Sequence, residues 1–471
     1  MAETDKTETD ASAGITDLEL RDENGNIARP FLTHLSAAIA DRDVLALRNL
    51  TADLHEADLG DVLEDLSSPQ RTALAALLGS DFDFTVLTEI DEAVRLEIVD
   101  SLPNEVVAKG VQELDSDDAV FILEDLDQPD QEDILSQIPA RDRIPLQRSL
   151  DFPEESAGRR MQSDFIAIPP FWTVGQTIDV LRENEDLPDE FYQIFVVDPA
   201  YRLVGTVALD HLLRTKRPVR IEDITEEARA VVRTTDDQEE AARLFERYNL
   251  LSAAVLDDGD RLVGVLTIDD IVDVITEEAD EDIKRLAGVG DEEISDTVIK
   301  TARLRLPWLL INTATAFAAA TVIGVFEATI EQIVALAILL PIASALGGNA
   351  GTQSMTVAVR ALATKDLSPS SAPRIIGREA FVGMLNGTVL AVVTGAVAMM
   401  WFQNAVLGLV LAGAMVLTVT LATLLGILVP LTLDRVGADP AVASGVFVTT
   451  ITDMFGFFVF LGFATWAFGL F

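Results

Sequence analysis

Asp453 is the one charged residue between Ala441 and Phe471, a run otherwise apolar enough to cross a membrane. With Ala441 at the cytoplasmic start of a helix, the carboxylate lies twelve residues in. That is about 18 Å along the axis, near the middle of a hydrocarbon core about 30 Å thick. A carboxylate at such depth costs several kcal/mol unless something positive or wet meets it. No Lys, Arg or His lies in the interior of any apolar run, so a mobile cation is the better partner than a fixed base. The chain has no Cys, and His34, His55 and His211 all precede the apolar part. An intramembrane site must therefore use oxygen ligands, which suit magnesium, calcium or manganese better than zinc or copper.

A second candidate is Pro341-Ile-Ala-Ser-Ala-Leu-Gly-Gly-Asn-Ala-Gly-Thr-Gln353, with a proline and three glycines inside an apolar run. The residues predict a helix broken at membrane depth, tolerated only against protein or a water-filled path, where freed carbonyls and amides face ions. Small residues also serve close helix packing. The neighbouring Asn349 and Gln353 turn the expectation toward a pore lining that includes Gly347 and Gly348.

Uncharged runs locate the elements that must hold these residues. Pro307–Phe326 and Gln332–Val359 are single spans, while Ala380–Leu433 runs 54 residues without a charge, enough for two helices broken at Gln403-Asn404. The run from Ala441 makes five. Lys300, Arg303 and Arg305 precede the first span, and Arg360, Lys365, Arg374 and Arg378 separate the second from the third. The positive-inside rule then puts the N-terminal part in the cytoplasm and the C-terminus outside. No apolar signal segment opens the chain, in keeping with that orientation.

Residues 304–471 carry seven acidic and six basic side chains, leaving 71 acids and 28 bases on residues 1–303. Such a surface suits concentrated salt, a halophilic source, or the gathering of cations, and it excludes nucleic acid as a partner. Met1 to Asn26 is polar and is expected to be disordered. Short amphipathic patterns follow, such as Leu59–Leu66 and Ala119–Leu126, punctuated by Pro69, Pro103, Pro129, Pro139 and Pro145. They predict a small helical superhelix. An internal repeat comes next at a spacing of 59, Val196–Gly205 against Val255–Gly264, each half reading as strand, turn, strand, helix.

Pro-x5-Gly-Gly-Asn-x-Gly-x-Gln in the second of five spans, with Thr450-Ile-Thr-Asp-Met-Phe-Gly-Phe-Phe458 in the fifth, resembles the MgtE family of magnesium channels. Asp151–Met161 is similar to that family's junction, and Glu278–Ile283 to the start of its plug helix. The resemblance covers the whole chain and implies a multidomain α-helical membrane protein. Its expected parts are an acidic tail (1–30), a helical N-terminal domain (31–150), a junction (151–164), two cystathionine-β-synthase (CBS) domains of α/β type (165–225 and 226–278), a plug helix (279–303) and a membrane domain of five helices (304–471). It further implies a homodimer in the cell membrane, among lipids and with no obligatory protein partner, conducting hydrated Mg2+ past Asp453 of both subunits. Ala337, Asn349 and Thr449 match pore-lining positions, and Glu331 matches an acidic position before the second span. One departure is plain: Ser444-Gly-Val446 stands where the family has Ser-Asn-Pro, so no role of that Asn carries over.

The resemblance also implies that cytosolic Mg2+ closes the pore through acids, here Asp270, Asp273, Glu278, Glu281 and Asp282, with Asp117 and Asp118 of the N-terminal domain as further candidates. Facing carboxylates repel until a divalent ion bridges them. On so acidic a surface, solvated side chains are the competing reading for each. Gly264-Val-Leu-Thr-Ile-Asp-Asp270 fits the Gly-x-x-Thr-x-x-Asp pattern of CBS nucleotide sites, making Thr267 and Asp270 candidates for ATP. Three other functions compete. A carrier for cobalt or manganese fits an oxygen-only site equally well. An intramembrane enzyme would need a second acid or a nucleophile-base pair beside Asp453. A non-transporting sensor leaves the buried acid without a purpose.

Overall fold

The computed structural model describes residues 19–184, 187–188, 191–290, 292, 297–363 and 372–470. Most of the expected tail (1–18), Lys365, part of the expected plug segment and the side chain of Ser444 lie outside the described residues. The chain divides into two compact units, 1–278 and 279–471.

The first unit opens with helices α1 (Arg29–Asp41), α2 (Val44–Thr51), α3 (Glu56–Asp65), α4 (Ser68–Leu78), α5 (Glu92–Ser101), α6 (Asn104–Glu113), α7 (Ser116–Glu124), α8 (Gln128–Gln137) and α9 (Ala140–Leu150). The prolines act as punctuation because they favour helix starts. Pro69 and Pro129 sit in first turns, and Pro103 and Pro139 are N-cap residues. Pro145 departs from that expectation: it lies inside α9, where it forfeits a single intrahelical bond. Apolar faces meet in one core, with Leu35, Leu47, Leu63, Leu74, Ile98 and Ile122 fully buried. Residues 20–28, largely expected to be disordered, instead form a turn closed by a bridge from Arg21 to Ile27. Ile27 is buried in the helical core, and Arg21 pairs with Asp58 and Asp61, which pins the turn down.

The repeat folds twice into the same unit. Strands β1 (Ala167–Ile168), β2 (Gln193–Val197) and β3 (Leu203–Ala208) carry α10 (Val174–Glu183) between the first two and α11 (Leu209–Arg214) after the third. The second copy has β4 (Val231–Arg233), α12 (Gln238–Tyr248), β5 (Ser252–Leu256) and β6 (Leu262–Thr267), then α13 (Ile268–Leu286). In each sheet the first pair is parallel and the second antiparallel. The predicted strand-turn-strand-helix order is present in both. Residues 279–286, expected to open a separate helix, instead continue α13, because no breaker interrupts the amphipathic pattern from Ile268 to Leu286.

Among the described residues of the second unit, five helices are long and apolar enough to cross a membrane. They are α14 (Val298–Val325), α16 (Ala335–Ala363), α17 (Ala372–Phe402), α18 (Ala405–Arg435) and α19 (Pro440–Ala467), with the short α15 (Glu327–Gln332) after the first. The predicted break at Gln403-Asn404 is present: Gln403 takes φ 49°, and Asn404 caps α18 by accepting from the backbone N–H groups of Val406 and Leu407. Asp439 caps α19 in the same way, accepting from the N–H of Ala441.

The expected break in the second span is absent. α16 runs unbroken from Ala335 to Ala363 through Pro341, and none of Gly347, Gly348 and Gly351 takes a positive φ. The small residues serve packing instead. A Cβ at Gly347 would stand 2.8 Å from Thr418 of α18, one at Gly351 2.8 Å from Val448 of α19, and one at Gly426 of α18 would collide with the Gly351 carbonyl. Glycine lets these three helices cross at near backbone contact.

Candidate ion-binding sites

Asp453 sits on α19 with its side chain half-buried, and the Ser344 hydroxyl of α16 donates to its Oδ1 at 2.5 Å. The carboxylate opens on a cavity of about 430 Å3. Thr352 of α16, Thr449 and Thr450 of α19, Asn312 and Thr315 of α14, and Arg285 through Gly288 line it. The hydroxyls and the amide oxygen beside one carboxylate offer oxygen ligands, while Arg285 on the same wall is paired with Glu281 and Asp439. Such a set can hold a hard cation through its water shell, which Mg2+ gives up reluctantly.

Of the residues named for the path, Thr449 lines this cavity with Asp453. Gly347 is buried in helix packing, while Ala337, Asn349 and Gln353 are exposed on α16 and Gly348 has open space beside it. Glu331 is exposed on α15. Ser344 escaped notice. It lies within the Pro341–Gln353 segment, and the spacing Ser344, Gly348, Thr352 is one helix face, so periodicity held the signal.

A second acidic site lies in the first unit. Asp117 and Asp118 of α7 face Asp270 and Asp273 of α13 across a cavity of about 210 Å3, with Arg160 and Glu277 on its wall. Asp117 is buried, and neither of its carboxylate oxygens meets a donor. A hydrogen bond between Asp117 and Asp270 exists only when one carries a proton. Burial, then the neighbouring Asp270, holds the Asp117 carboxyl well above its ordinary range. Burial and Asp270 push Asp118 up to about 7, and burial raises Asp270 to about 6 although the Thr267 hydroxyl donates to it. Burial and Asp269 also raise Asp273, against the pull of Arg160. Arg160 itself is held by Glu277 at 2.8 Å and lies over the Phe121 ring.

Among the described residues no group of three or more His, Cys, Asp or Glu side chains is arranged to hold a metal ion. The pocket offers space beside its acids for an ion that keeps its water. Raised carboxyl values carry a sign. Between about pH 4 and 7 the folded protein holds protons that the unfolded chain has released, so stability without divalent ions falls as pH rises through that window. Thermal unfolding of the full-length protein in chelator is expected to occur at lower temperature at pH 8 than at pH 5.5. Added Mg2+ should narrow the gap, and an equal melting temperature at both pH values would contradict the buried pair.

Glu278, Glu281 and Asp282 lie further along α13. Glu278 accepts from Gln238 at 2.7 Å, and Glu281 pairs with Arg285, which also reaches Asp439 at 2.9 Å. Of the five acids named as sensors, the cavity brings together Asp270 and Asp273, and adds Asp117 and Asp118. For a nucleotide, Thr267 is bonded to Asp270 and borders a cleft of only about 20 Å3. The larger cleft between the two CBS-like halves, about 190 Å3, is lined by Tyr192, Thr206, Glu226, Arg229 and Ser252 and contains neither Thr267 nor Asp270.

The family described as divalent cation transporter, MgtE, matches residues 340–463, the MgtE intracellular N domain matches 54–155, and the CBS domain matches 221–277. A magnesium transporter MgtE from Thermus thermophilus is 31% identical over 440 residues, 91% of this chain and 97% of that protein. The chain belongs to the MgtE family. Relatives of the same name from Enterococcus faecalis, 37% identical over 67% of this chain and 70% of its own length, and Bacillus subtilis, 29% identical over 91% and 95%, agree. The soluble part is also similar to a crystal structure of the cytosolic domain of the Mg2+ channel MgtE in complex with ATP, at 28% identity and a TM-score of 0.49, covering 52% of this chain and 99% of that one. The MgtE chain is thus a multidomain helical membrane protein, with an intracellular N-terminal domain, a CBS pair and five spans. The CBS match falls on the second repeat, while the first repeat shares its strand order and pairing.

Proposed function

We propose that this chain carries Mg2+ across the cell membrane, as a homodimeric channel whose ion path passes Asp453 and whose gate is closed by cytosolic Mg2+ at the acidic region. The relatives are named magnesium transporters, not enzymes. The observation that carries the reading is the Asp453 carboxylate in the fifth span, bonded to Ser344 and facing a cavity lined in part by hydroxyls. A second subunit would cover the exposed Ala337, Asn349 and Gln353 and would bring two copies of Asp453 to one ion. The C-terminus then faces the exterior, as the basic residues flanking the spans require.

Regulation rests on the Asp117, Asp118, Asp270 and Asp273 pocket, with Glu278, Glu281 and Asp282 further along the same helix. Divalent binding relieves the repulsion among these acids and favours the compact arrangement. ATP as a second regulator rests on the Gly-x-x-Thr-x-x-Asp match alone, and the cleft beside Thr267 is too small for a nucleotide. A carrier for cobalt or manganese is the competing transport reading, because oxygen ligands do not discriminate strongly. Expression in a strain lacking its own magnesium uptake tests the choice. Growth without magnesium supplement is expected, and cobalt or manganese uptake without that rescue would contradict the magnesium assignment.

A further inference from the structure

The first span places a side chain in the ion cavity that the pair formed by the second and fifth spans does not account for. Asn312 is exposed on α14, five residues past Pro307 in an uncharged stretch. Its amide lines the same cavity as Asp453, together with Thr315 one turn along. A primary amide in an apolar span is costly when its donors and acceptor go unmet. A cavity wide enough to admit water and lined by a carboxylate meets that need. An amide oxygen accepts from the water of a hydrated cation, whereas leucine, which would suit lipid, offers nothing.

We propose that Asn312, with Thr315, is a specificity-determining residue of the ion path, binding the water shell of Mg2+ as it passes to or from Asp453. The inference rests on the ion path proposed above. Its chemistry is outer-sphere: the amide oxygen accepts a hydrogen bond from metal-bound water, and no metal-ligand bond is exchanged. Asn312 therefore favours a cation that arrives with its hydration intact over one that sheds water easily.

The test uses full-length protein in lipid vesicles and two probes, Mg2+ flux and block by hexaamminecobalt(III), an inert ion shaped like hydrated magnesium. Asn312→Leu is expected to weaken both half-saturation by Mg2+ and block by the cobalt complex about fivefold, the loss of one ordinary hydrogen bond. Asn312→Asp should tighten the block, and this second variant decides the matter if the leucine variant fails to insert. Thr313→Val, a neighbour outside the cavity, should match wild type. Unchanged block in both Asn312 variants, or an equal defect in Thr313→Val, would overturn the inference. Asp453→Ala in the same vesicles separates the two failures. If it conducts normally, the ion path itself is wrong, whereas loss of flux there beside normal Asn312 variants sinks only the role of the first span.

Discussion

Asp453→Ala is expected to lower Mg2+ flux roughly a hundredfold, the effect of removing a charge partner worth about 3 kcal/mol from a partly desolvated site. The protein should still insert, because the side chain is half-buried and, among the described residues, its hydrogen-bond partner is the Ser344 hydroxyl. Asp453→Asn separates charge from hydrogen bonding: the amide can still accept from Ser344 but attracts no cation, so flux should stay low. Ser344→Ala keeps the charge and removes only its orienting donor, and a loss of about fivefold is expected. The order Ala and Asn well below Ser344→Ala identifies an electrostatic ion site. Wild-type flux from Asp453→Ala in an inserted protein would refute it.

Asp117→Asn combined with Asp270→Asn is expected to raise the internal Mg2+ needed to half-close the channel by about tenfold, or about 1.4 kcal/mol. Both carboxyls border one cavity, and burial raises both above their ordinary range. An amide pair carries no charge to attract a divalent ion, so the cavity loses two of the four aspartates that would hold it. Asp130→Asn alters an exposed acid on α8 and should leave the midpoint where it was. Patch-clamp recording with internal Mg2+ titrated gives the three midpoints. Equal midpoints in wild type and the double variant would remove the pocket from the gating account.

The membrane architecture was largely legible because charge-free runs and turn residues report directly on burial. Gln403-Asn404 broke the long run where expected, and the 59-residue repeat gave two copies of the same sheet. Asp453 stood out for the same reason, a charge where none is cheap. The Pro341–Gln353 segment misled because glycine is spelled alike whether it breaks a helix or lets two helices touch. Only the partners Thr418 and Val448 decide between those roles. The acidic pocket was harder still. Asp117 and Asp118 lie far in sequence from Asp270, among 78 acidic residues, and nothing local distinguishes a buried aspartate from a solvated one. Folding distinguishes them by closing α7 against α13.

That contrast bears on whether the acidity is sensing or salt adaptation. In about 1 M salt the Debye length falls to about 3 Å, which screens exposed acids but scarcely reaches a buried pair. The decisive measurement is Mg2+ flux through the purified full-length protein in vesicles, titrated with Mg2+ on the cytoplasmic face at low and at high potassium chloride. Flux that is carried by Mg2+, and that falls as cytoplasmic Mg2+ rises at both salt concentrations, is the predicted result. Absence of Mg2+ flux, or flux indifferent to cytoplasmic Mg2+ at both, would contradict it.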